Sequence, residues 1–335
     1  MSVPAYTKKD FASDQEIRWC PGCGDYAILA SAQTAFAKLG IPREKFVIVS
    51  GIGCSSRFPY YMSTYGFHSV HGRAPGIATG IKLANPDLHV WVITGDGDAL
   101  AIGGNHFIHA MRRNVDLKMM LFNNRIYGLT KGQSSPTSEK GKKTASTPLG
   151  SIDPPFNPLA LALGAGATFV ARGVDRFGPH LQGLIERAAA HRGSALVEIY
   201  QNCNIFNDGT FTYVTDKDAR IDHALYLEHG KPLRFGKDGA LGVRLGASGL
   251  PEVVRVDDVG DAALLVHDER APSPGLAFLL AQLEGPDFPV ALGVLRAVDR
   301  PTLEAENTAQ IERARAAEKR DLGALLRGTD TWEVR

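Results

Sequence analysis

A carboxylate and an amide follow two successive apolar runs that predict buried strands. The motif Gly95–Asp98 (GDGD) comes directly after His89–Thr94, and Asn124 follows the next run, Leu117–Phe122. Because the carboxyl ends of parallel strands meet at one edge of a sheet, Asp96 and Asn124 can converge on one point. Such hard oxygen donors suit Mg²⁺, and the glycines let a phosphate approach the backbone. The spacing therefore predicts a magnesium-bridged diphosphate site.

The surroundings of the GDG triplet separate it from an ordinary turn, which the triplet alone would also fit. It lies between a predicted strand and a predicted helix, and an Asn-Asn pair follows the next strand. This arrangement resembles the diphosphate-binding motif of thiamine-diphosphate enzymes. In that family the Mg²⁺ ligands match Asp96, Asn124 and the backbone carbonyl of Ile126. The resemblance implies thiamine diphosphate and Mg²⁺ as cofactors.

The chain has four cysteines, too few to staple 335 residues with disulfides. Cys20 and Cys23 form a C-x-x-C turn, whereas Cys54 and Cys203 each follow a predicted strand and lie at the same sheet edge as Asp96. Four thiolates there suit either a [4Fe–4S] cluster or a zinc ion, and the spacing alone leaves both open. The neighbouring thiamine-type motif favours the cluster, because oxidation of a thiamine-bound intermediate requires an electron acceptor.

Alternating strand and helix patterns position these residues. Buried strands are predicted at Phe46–Ser50, His89–Thr94, Leu117–Phe122, Ala167–Ala171 and Ser194–Tyr200. Helices are predicted at Tyr26–Leu39, Ala74–Ala84, Ala99–Arg113, Asn157–Leu163 and Pro179–Arg192. The alternation predicts an α/β fold with a doubly wound, mostly parallel sheet. The segment Lys131–Pro158 lacks periodicity and predicts a long loop.

The chain divides at residue 215 by the strength of these patterns. Residues 1–215 form the predicted cofactor-binding domain, and residues 216–335 form a C-terminal extension to which no role is assigned. Within the extension, Leu241–Val256 predicts strands, and Pro274–Leu283 and Pro301–Leu326 predict helices.

The composition excludes several classes of protein. The chain has 37 basic and 36 acidic residues, a net charge of +1 and 44% apolar residues. This balance argues against a nucleic-acid-coating protein and against a disordered chain. Its apolar runs are too short to span a membrane, and Met1–Asp10 has no signal-peptide pattern, so we expect a cytoplasmic protein.

Six longer motifs resemble the β subunits of 2-oxoacid:ferredoxin oxidoreductases. They are WCPGCG from Trp19, GIGCSSRFPYY from Gly51, HSVHGRA from His68, GDGD from Gly95, GGNHF with RRNVD within 103–116, and NNRIYGLTKGQSSPT from Asn123. The GCSSRFPYY form looks most like the 2-oxoglutarate branch of the family. The resemblance is dense over roughly residues 15–235.

The resemblance implies a role for each matching residue. The implied cluster ligands are Cys20, Cys23, Cys54 and Cys203. The implied thiamine diphosphate contacts are Ile52, Gly53, Cys54, Ser55, His71, Gly95, Asp96, Gly97, Asp98, Asn124, Tyr127, Gly128 and Leu129. Arg57 and Lys131 are the implied candidates for binding the substrate carboxylate, and the Arg57 guanidinium offers two parallel donors for it.

The implied reaction is oxidative decarboxylation of 2-oxoglutarate with coenzyme A, giving succinyl-CoA, CO₂ and reduced ferredoxin, and it is reversible in principle.

The chain supplies only the diphosphate half of a thiamine site. An α subunit should therefore hold the aminopyrimidine, in an α2β2 assembly. The near-neutral net charge means that any ferredoxin docking patch is local, with Lys140–Lys143 as a candidate or simply a solvated loop.

Three alternatives stay open at this point. The substrate could be pyruvate or a branched or aromatic 2-oxoacid. A non-oxidative thiamine-diphosphate decarboxylase would have no use for a cluster. A zinc-stabilised binding subunit would have no chemistry of its own.

Overall fold

A computed structural model of the chain describes residues 5–317 and 321–334. The strands are β1 Phe46–Ser50, β2 Tyr65–His68, β3 His89–Gly95, β4 Leu117–Asn123, β5 Phe169–Val174, β6 Ala195–Tyr200, β7 Ala224–Tyr226, β8 Arg234–Phe235, β9 Leu241–Leu245, β10 Pro251–Arg255 and β11 Val290–Ala297. The helices are α1 Asp25–Lys38, α2 Ala74–Ala84, α3 Asp96–Leu100, α4 Gly104–Arg112, α5 Pro158–Gly164, α6 Gly178–Ala190, α7 Thr212–Thr215, α8 Ala219–His223, α9 Val256–Val259, α10 Gly275–Gln282, α11 Leu303–Ala317 and α12 Leu322–Arg327.

The main sheet has eight strands in the order β2-β1-β3-β4-β6-β5-β11-β7. All neighbouring pairs are parallel except β5 and β11. The predicted α/β fold with a mostly parallel sheet is confirmed. The carboxyl ends of β1, β3, β4 and β6 therefore lie at one edge, where the loops that carry the candidate site residues begin.

Helices cover both faces of this sheet, which is why its strands are continuous apolar runs. Val47 and Val49 of β1 pack in a core with α2 and α4, whereas Phe46 and Ile48 pack in a second core with α1 and α6. Successive side chains of a strand point to opposite faces, so one five-residue run contributes to both cores.

The predicted helix Ala99–Arg113 is wrong as one element, because it is interrupted between α3 and α4. A Cβ on Gly103 would lie 2.3 Å from the Asp98 carbonyl oxygen and 3.0 Å from the Gly72 Cα. The backbones of the two loops approach so closely that only glycine fits there. The break places α3, which carries the GDGD motif, against the loop after β2.

Two strands from the predicted C-terminal extension, residues 216–335, belong to the main sheet. β11 and β7, both beyond residue 215, complete the main sheet next to β5, while β8, β9 and β10 form a separate antiparallel sheet. No sequence pattern predicts β2, β7, β8 or β11. The predicted helix Pro301–Leu326 corresponds to α11 and α12, and its residues 318–320 lie outside the described residues. Residues 1–4 of the segment Met1–Asp10, which is predicted to carry no signal peptide, also lie outside them.

The helices within 5–317 and 321–334 include none that is long and apolar enough to cross a membrane.

Candidate functional site

One cavity of about 140 Å³ opens at the carboxyl edge of the sheet. The structure brings every predicted thiamine diphosphate contact to its wall: Ile52, Gly53, Cys54, Ser55, His71, Gly95, Asp96, Gly97, Asp98, Asn124, Tyr127, Gly128 and Leu129. They come from the ends of β1, β3 and β4 and from the loop after β2. We call this space the thiamine cavity, and contact with the cofactor stays a prediction.

Asp96 is a buried carboxylate without a cationic partner. Its Oδ2 accepts hydrogen bonds from the hydroxyls of Ser135 and Thr137, the latter at 2.6 Å. Burial raises the pKa of Asp96 to about 6, and the two hydroxyl donors oppose that rise. No Lys, Arg or His in the described chain forms an ion pair with it. A divalent cation would supply the missing positive charge, so this carboxylate fits a Mg²⁺ ligand.

The other two predicted Mg²⁺ ligands, Asn124 and Ile126, line the same cavity. The Asn124 Oδ1 accepts a hydrogen bond from the Ile126 N–H at 3.2 Å, which holds the turn after β4. The Asn207 side chain donates to the Asn124 carbonyl oxygen at 2.9 Å. Residues that can offer a carboxylate, an amide oxygen and a backbone carbonyl thus line one cavity, and this donor set suits Mg²⁺.

The Asp98 carboxylate forms hydrogen bonds with the loop after β1, the loop after β2 and the end of β3. Its buried Oδ1 lies 2.7 Å from the His71 Nδ1 and accepts the N–H groups of Ile52 at 3.0 Å and Gly72 at 2.7 Å. Its Oδ2 accepts the Thr94 hydroxyl at 2.8 Å. Because a carboxylate only accepts, His71 donates through Nδ1, which fixes its ring orientation. Asp98 thus positions the predicted contact His71 besides lining the cavity.

Gly97 allows Tyr127 to close one side of the thiamine cavity. A Cβ on Gly97 would lie 2.0 Å from a carbon of the Tyr127 ring, and the Tyr127 hydroxyl donates to the Gly97 carbonyl at 3.1 Å. Burial raises the pKa of Tyr127 to about 12, and the charges of Asp96 and Asp98 add to the rise. The hydroxyl therefore keeps its proton and holds α3 against the loop after β4.

A second cavity, of about 240 Å³, is lined by all four cysteines, Cys20, Cys23, Cys54 and Cys203. All four thiols are free. A Cβ on Gly128 would lie 3.6 Å from the Sγ atoms of both Cys54 and Cys203, so the turn after β4 packs directly on them. Burial raises the pKa of Cys54 to about 12 and raises the pKa of Cys23 further. Such thiols become thiolates only with a positively charged group between them.

The four thiols form a donor set around one cavity. Four thiolates suit either a [4Fe–4S] cluster or a zinc ion, the two metal groups that the sequence predicts.

The two cavities share a wall that contains Asp25, Cys54, Asn124, Gly128 and Leu129. Asp25 is 2% exposed, and its Oδ2 has no hydrogen-bond partner in the described residues. Burial raises the pKa of Asp25 to about 7. Asp25 is not among the site residues predicted from the sequence, although it directly follows the CPGCG turn.

Gln201 is a second residue that sequence reasoning missed. Its side chain is 1% exposed, and its Nε2 lies 3.2 Å from the Cys23 Sγ and 2.6 Å from the Asn202 carbonyl oxygen. It lines the cysteine cavity at the end of β6. Its position two residues before Cys203 is the only signal in the sequence, and that signal does not identify a hydrogen bond to another cysteine.

Arg57 and Lys131, the predicted carboxylate-binding residues, both line the cysteine cavity but differ in their exposure and in the other cavities that they line. Arg57 lies in a 3₁₀-helix, Ser55–Tyr61, and lines both the cysteine cavity and a neighbouring cavity of about 430 Å³. That larger cavity shares Ile52, Gly53 and Leu129 with the thiamine cavity. Lys131 is exposed, has a positive φ of 74° and lines only the cysteine cavity. The geometry favours Arg57 for a ligand beside the thiamine cavity.

Known proteins similar to this chain include thiamine-binding enzymes and subunits of 2-oxoacid oxidoreductases. Residues 51–199 match the family described as thiamine pyrophosphate enzyme, C-terminal TPP binding domain. The chain is 53% identical to 2-oxoglutarate oxidoreductase subunit KorB of Mycobacterium tuberculosis over 330 residues, 97% of this chain and 88% of that protein. It is 49% identical to 2-oxoacid:ferredoxin oxidoreductase 1, subunit beta, of Aeropyrum pernix, over 57% of this chain and 60% of that protein.

A solved structure is similar over almost the whole chain. It is a 2-oxoglutarate:ferredoxin oxidoreductase from Magnetococcus marinus with 2-oxoglutarate, coenzyme A and succinyl-CoA bound. The superposition has a TM-score of 0.78 at 34% identity and covers 98% of this chain and 100% of that one.

Proposed function

The chain belongs to the β subunits of the 2-oxoacid:ferredoxin oxidoreductases, and from this membership we propose its reaction. With a partner subunit, it converts 2-oxoglutarate, coenzyme A and two oxidised ferredoxins to succinyl-CoA, CO₂, a proton and two reduced ferredoxins. The observation that carries the proposal is the common wall of the thiamine cavity and the cysteine cavity. A site of decarboxylation and a site of electron acceptance are then immediate neighbours.

Thiamine diphosphate and Mg²⁺ belong in the thiamine cavity. Asp96, Asn124 and the Ile126 carbonyl would hold Mg²⁺, while Ser135 and Thr137 fix the orientation of the Asp96 carboxylate. When bound, thiamine diphosphate supplies the electron sink that lets a 2-oxoacid lose CO₂. The protein contributes orientation, and the buried Phe122 side chain at the end of β4 forms an apolar part of the wall.

A [4Fe–4S] cluster belongs in the cysteine cavity, where Cys20, Cys23, Cys54 and Cys203 would hold it. When bound, the cluster supplies one-electron acceptance. Burial raises the pKa values of Cys23 and Cys54, so both thiols keep their protons without a metal group, and binding of the cluster would release them.

Arg57 recognises the distal carboxylate of 2-oxoglutarate. Its guanidinium forms no ion pair with any carboxylate in 5–317 or 321–334, and it lines the cavity beside the thiamine cavity. A free guanidinium suits a carboxylate in a bidentate contact. Pyruvate and the branched or aromatic 2-oxoacids have no second carboxylate, so this residue favours 2-oxoglutarate.

The proposal is tested on the chain produced anaerobically together with its α subunit. We expect a brown protein whose visible absorption is bleached by dithionite, and ferredoxin reduction that requires both 2-oxoglutarate and coenzyme A. A colourless protein with stoichiometric zinc would support the binding-subunit alternative. Reduction of ferredoxin that proceeds without 2-oxoglutarate or coenzyme A would contradict the proposed reaction.

A further inference from the structure

We propose that the electron acceptor docks on the face where the cysteine cavity opens, and that it is a small acidic iron–sulfur protein. The docking face consists of Cys20, Ile205, Phe206, Lys131 and the loop Lys140–Lys143. This inference rests on the proposed function and specifies its partner surface. Three separate observations on this face carry it: an exposed thiol, exposed apolar side chains and a local excess of positive charge.

The exposed thiol marks the side on which electrons leave. Cys20 is exposed, whereas Cys23, Cys54 and Cys203 are partly buried. Cys20 is not among the residues of the wall that the cysteine cavity shares with the thiamine cavity. A group held by these thiols is therefore within reach of a protein partner at Cys20, away from that shared wall.

Apolar side chains border the exposed thiol. Ile205 and Phe206 line the cysteine cavity and are 55% and 37% exposed. They follow Cys203 in a tight turn, since the Asn207 N–H donates to the Cys203 carbonyl at 3.0 Å. Exposed apolar residues beside a redox site are typical of an interaction surface rather than of ordinary solvated loop.

Basic residues surround this apolar centre. Lys131 lines the cavity, and the Lys142 ammonium contacts the Asn207 side chain, which brings the loop Lys140–Lys143 against the Cys203 turn. Two nearby acidic groups are neutralised, because Glu16 pairs with Arg18 at 2.7 Å and Glu139 pairs with Arg125 at 3.0 Å. A third, Asp208, accepts a hydrogen bond from the Asn202 side chain at 2.8 Å and keeps its charge, so the lysines still outnumber it. In a chain of net charge +1, this is a local concentration of positive charge.

Such a surface suits a transient acidic partner. Complementary charge raises the rate of encounter and orients the partner, while a small apolar centre permits rapid release. From its sequence alone, the loop Lys140–Lys143 could be either a docking patch or a solvated loop. Its contact with the Cys203 turn favours the docking patch.

The test uses the double variant Lys140→Glu/Lys143→Glu in the complete α-β complex. Both side chains are exposed, and neither lines the thiamine cavity. We expect KM for ferredoxin to rise about fivefold to tenfold at low ionic strength, and the difference to shrink as salt screens the charges. The rate of 2-oxoglutarate-dependent reduction of methyl viologen, a small dye, should stay unchanged.

The matched control is Lys231→Glu/Lys237→Glu, which makes the same change of charge on exposed residues that line neither cavity. Equal losses in both double variants, or an unchanged KM in Lys140→Glu/Lys143→Glu, would overturn the docking face.

A second variant, Ile205→Ser, probes the apolar centre without changing charge. We expect it to raise KM for ferredoxin severalfold at all salt concentrations, with rates normalised to the iron content of each preparation. Hydrogen exchange across 203–207 should slow only when ferredoxin is added. Protection already present in the complex without ferredoxin would show that the α subunit covers this face. No dye reduction by the unaltered complex would instead overturn the proposed function itself.

Discussion

Arg57 is the residue on which substrate choice depends. Replacing Arg57 by Ala removes the charge that the distal carboxylate of 2-oxoglutarate would meet. A hydrogen bond to a charged group is worth about 1.5–3 kcal/mol, so we expect kcat/KM for 2-oxoglutarate to fall about tenfold to a hundredfold. Steady-state rates with several 2-oxoacids, determined in the α-β complex, measure this fall in kcat/KM.

The charge-retaining variant Arg57→Lys serves as the control, and it should keep part of the preference. Activity with pyruvate, where measurable, should not fall in Arg57→Ala. An equal loss of 2-oxoglutarate and pyruvate activity would contradict the carboxylate-binding role and indicate a general effect on the cavity.

Gln201 should set the redox potential of a group bound to the cysteines. The Gln201 Nε2 donor lies 3.2 Å from the Cys23 Sγ in a buried site. Hydrogen bonds to the sulfurs stabilise the more negative, reduced state of a cluster. In Gln201→Leu we therefore expect a more negative midpoint potential with an unchanged cluster content, measured by an EPR-monitored redox titration.

The matched substitution Gln182→Leu, on α6 and outside both cavities, should leave the potential unchanged. A Gln201→Leu protein with a normal EPR signal and an unaltered potential would refute the role assigned to this hydrogen bond.

At the scale of elements, the long loop after β4 acts as a support for the Mg²⁺ site. The Thr137 hydroxyl lies 2.6 Å from the Asp96 Oδ2 and 3.0 Å from the Asn123 Oδ1. In Thr137→Val these contacts are lost at nearly constant volume. Residues that orient metal ligands typically contribute tenfold to a hundredfold in metal affinity, so we expect at least a tenfold higher Mg²⁺ requirement.

Activity of the α-β complex as a function of Mg²⁺ and thiamine diphosphate concentration measures this effect. Thr144→Val is the control, because the Thr144 hydroxyl bonds only within the loop, to Ser146 and Thr147. Identical Mg²⁺ dependence in Thr137→Val and the unaltered protein would remove the supporting role from the loop.

Elements explain which parts of the site the sequence could predict. Asp96 and Asn124 directly follow buried strands, and Cys54 lies four residues after the end of β1. The common edge of parallel strands brings such positions together whatever the details of packing. Ser135 and Thr137 lie in a loop without periodicity, so no pattern indicates that their hydroxyls return to Asp96. The same limit applies to Gln201, whose contact with Cys23 depends on tertiary packing.

The fold shows the same division. Strands with long apolar runs, such as β1 and β4, were predicted almost to the residue, whereas β5 lies slightly later than the predicted Ala167–Ala171. The break before α4 depends on the close approach of Gly103 to the loop after β2, which propensity does not encode. β7 has only three residues, and a run that short gives no distinct periodicity.

At the scale of the whole molecule, the mouth of the thiamine cavity is incomplete. Ile52 and Leu129 line the cavity and are 37% and 43% exposed, and Val70 and Ile102 in adjacent loops are 67% and 52% exposed. An apolar rim of this kind is what a partner subunit would cover. It supports the proposal that the α subunit closes the site and supplies the aminopyrimidine half.

We therefore expect the chain alone to be catalytically inactive. Without a cover, the bound cofactor would stay open to water, and the ordering that drives decarboxylation would be lost. The isolated chain should bind thiamine diphosphate and Mg²⁺ much more weakly than the α-β complex does, and it should show no 2-oxoglutarate-dependent reduction of methyl viologen. Mixing in purified α subunit should restore both binding, followed by titration calorimetry, and dye reduction. Robust dye reduction by the chain alone would mean that one chain contains a complete thiamine site. The hypothesis that an α subunit completes the thiamine cavity would then be wrong.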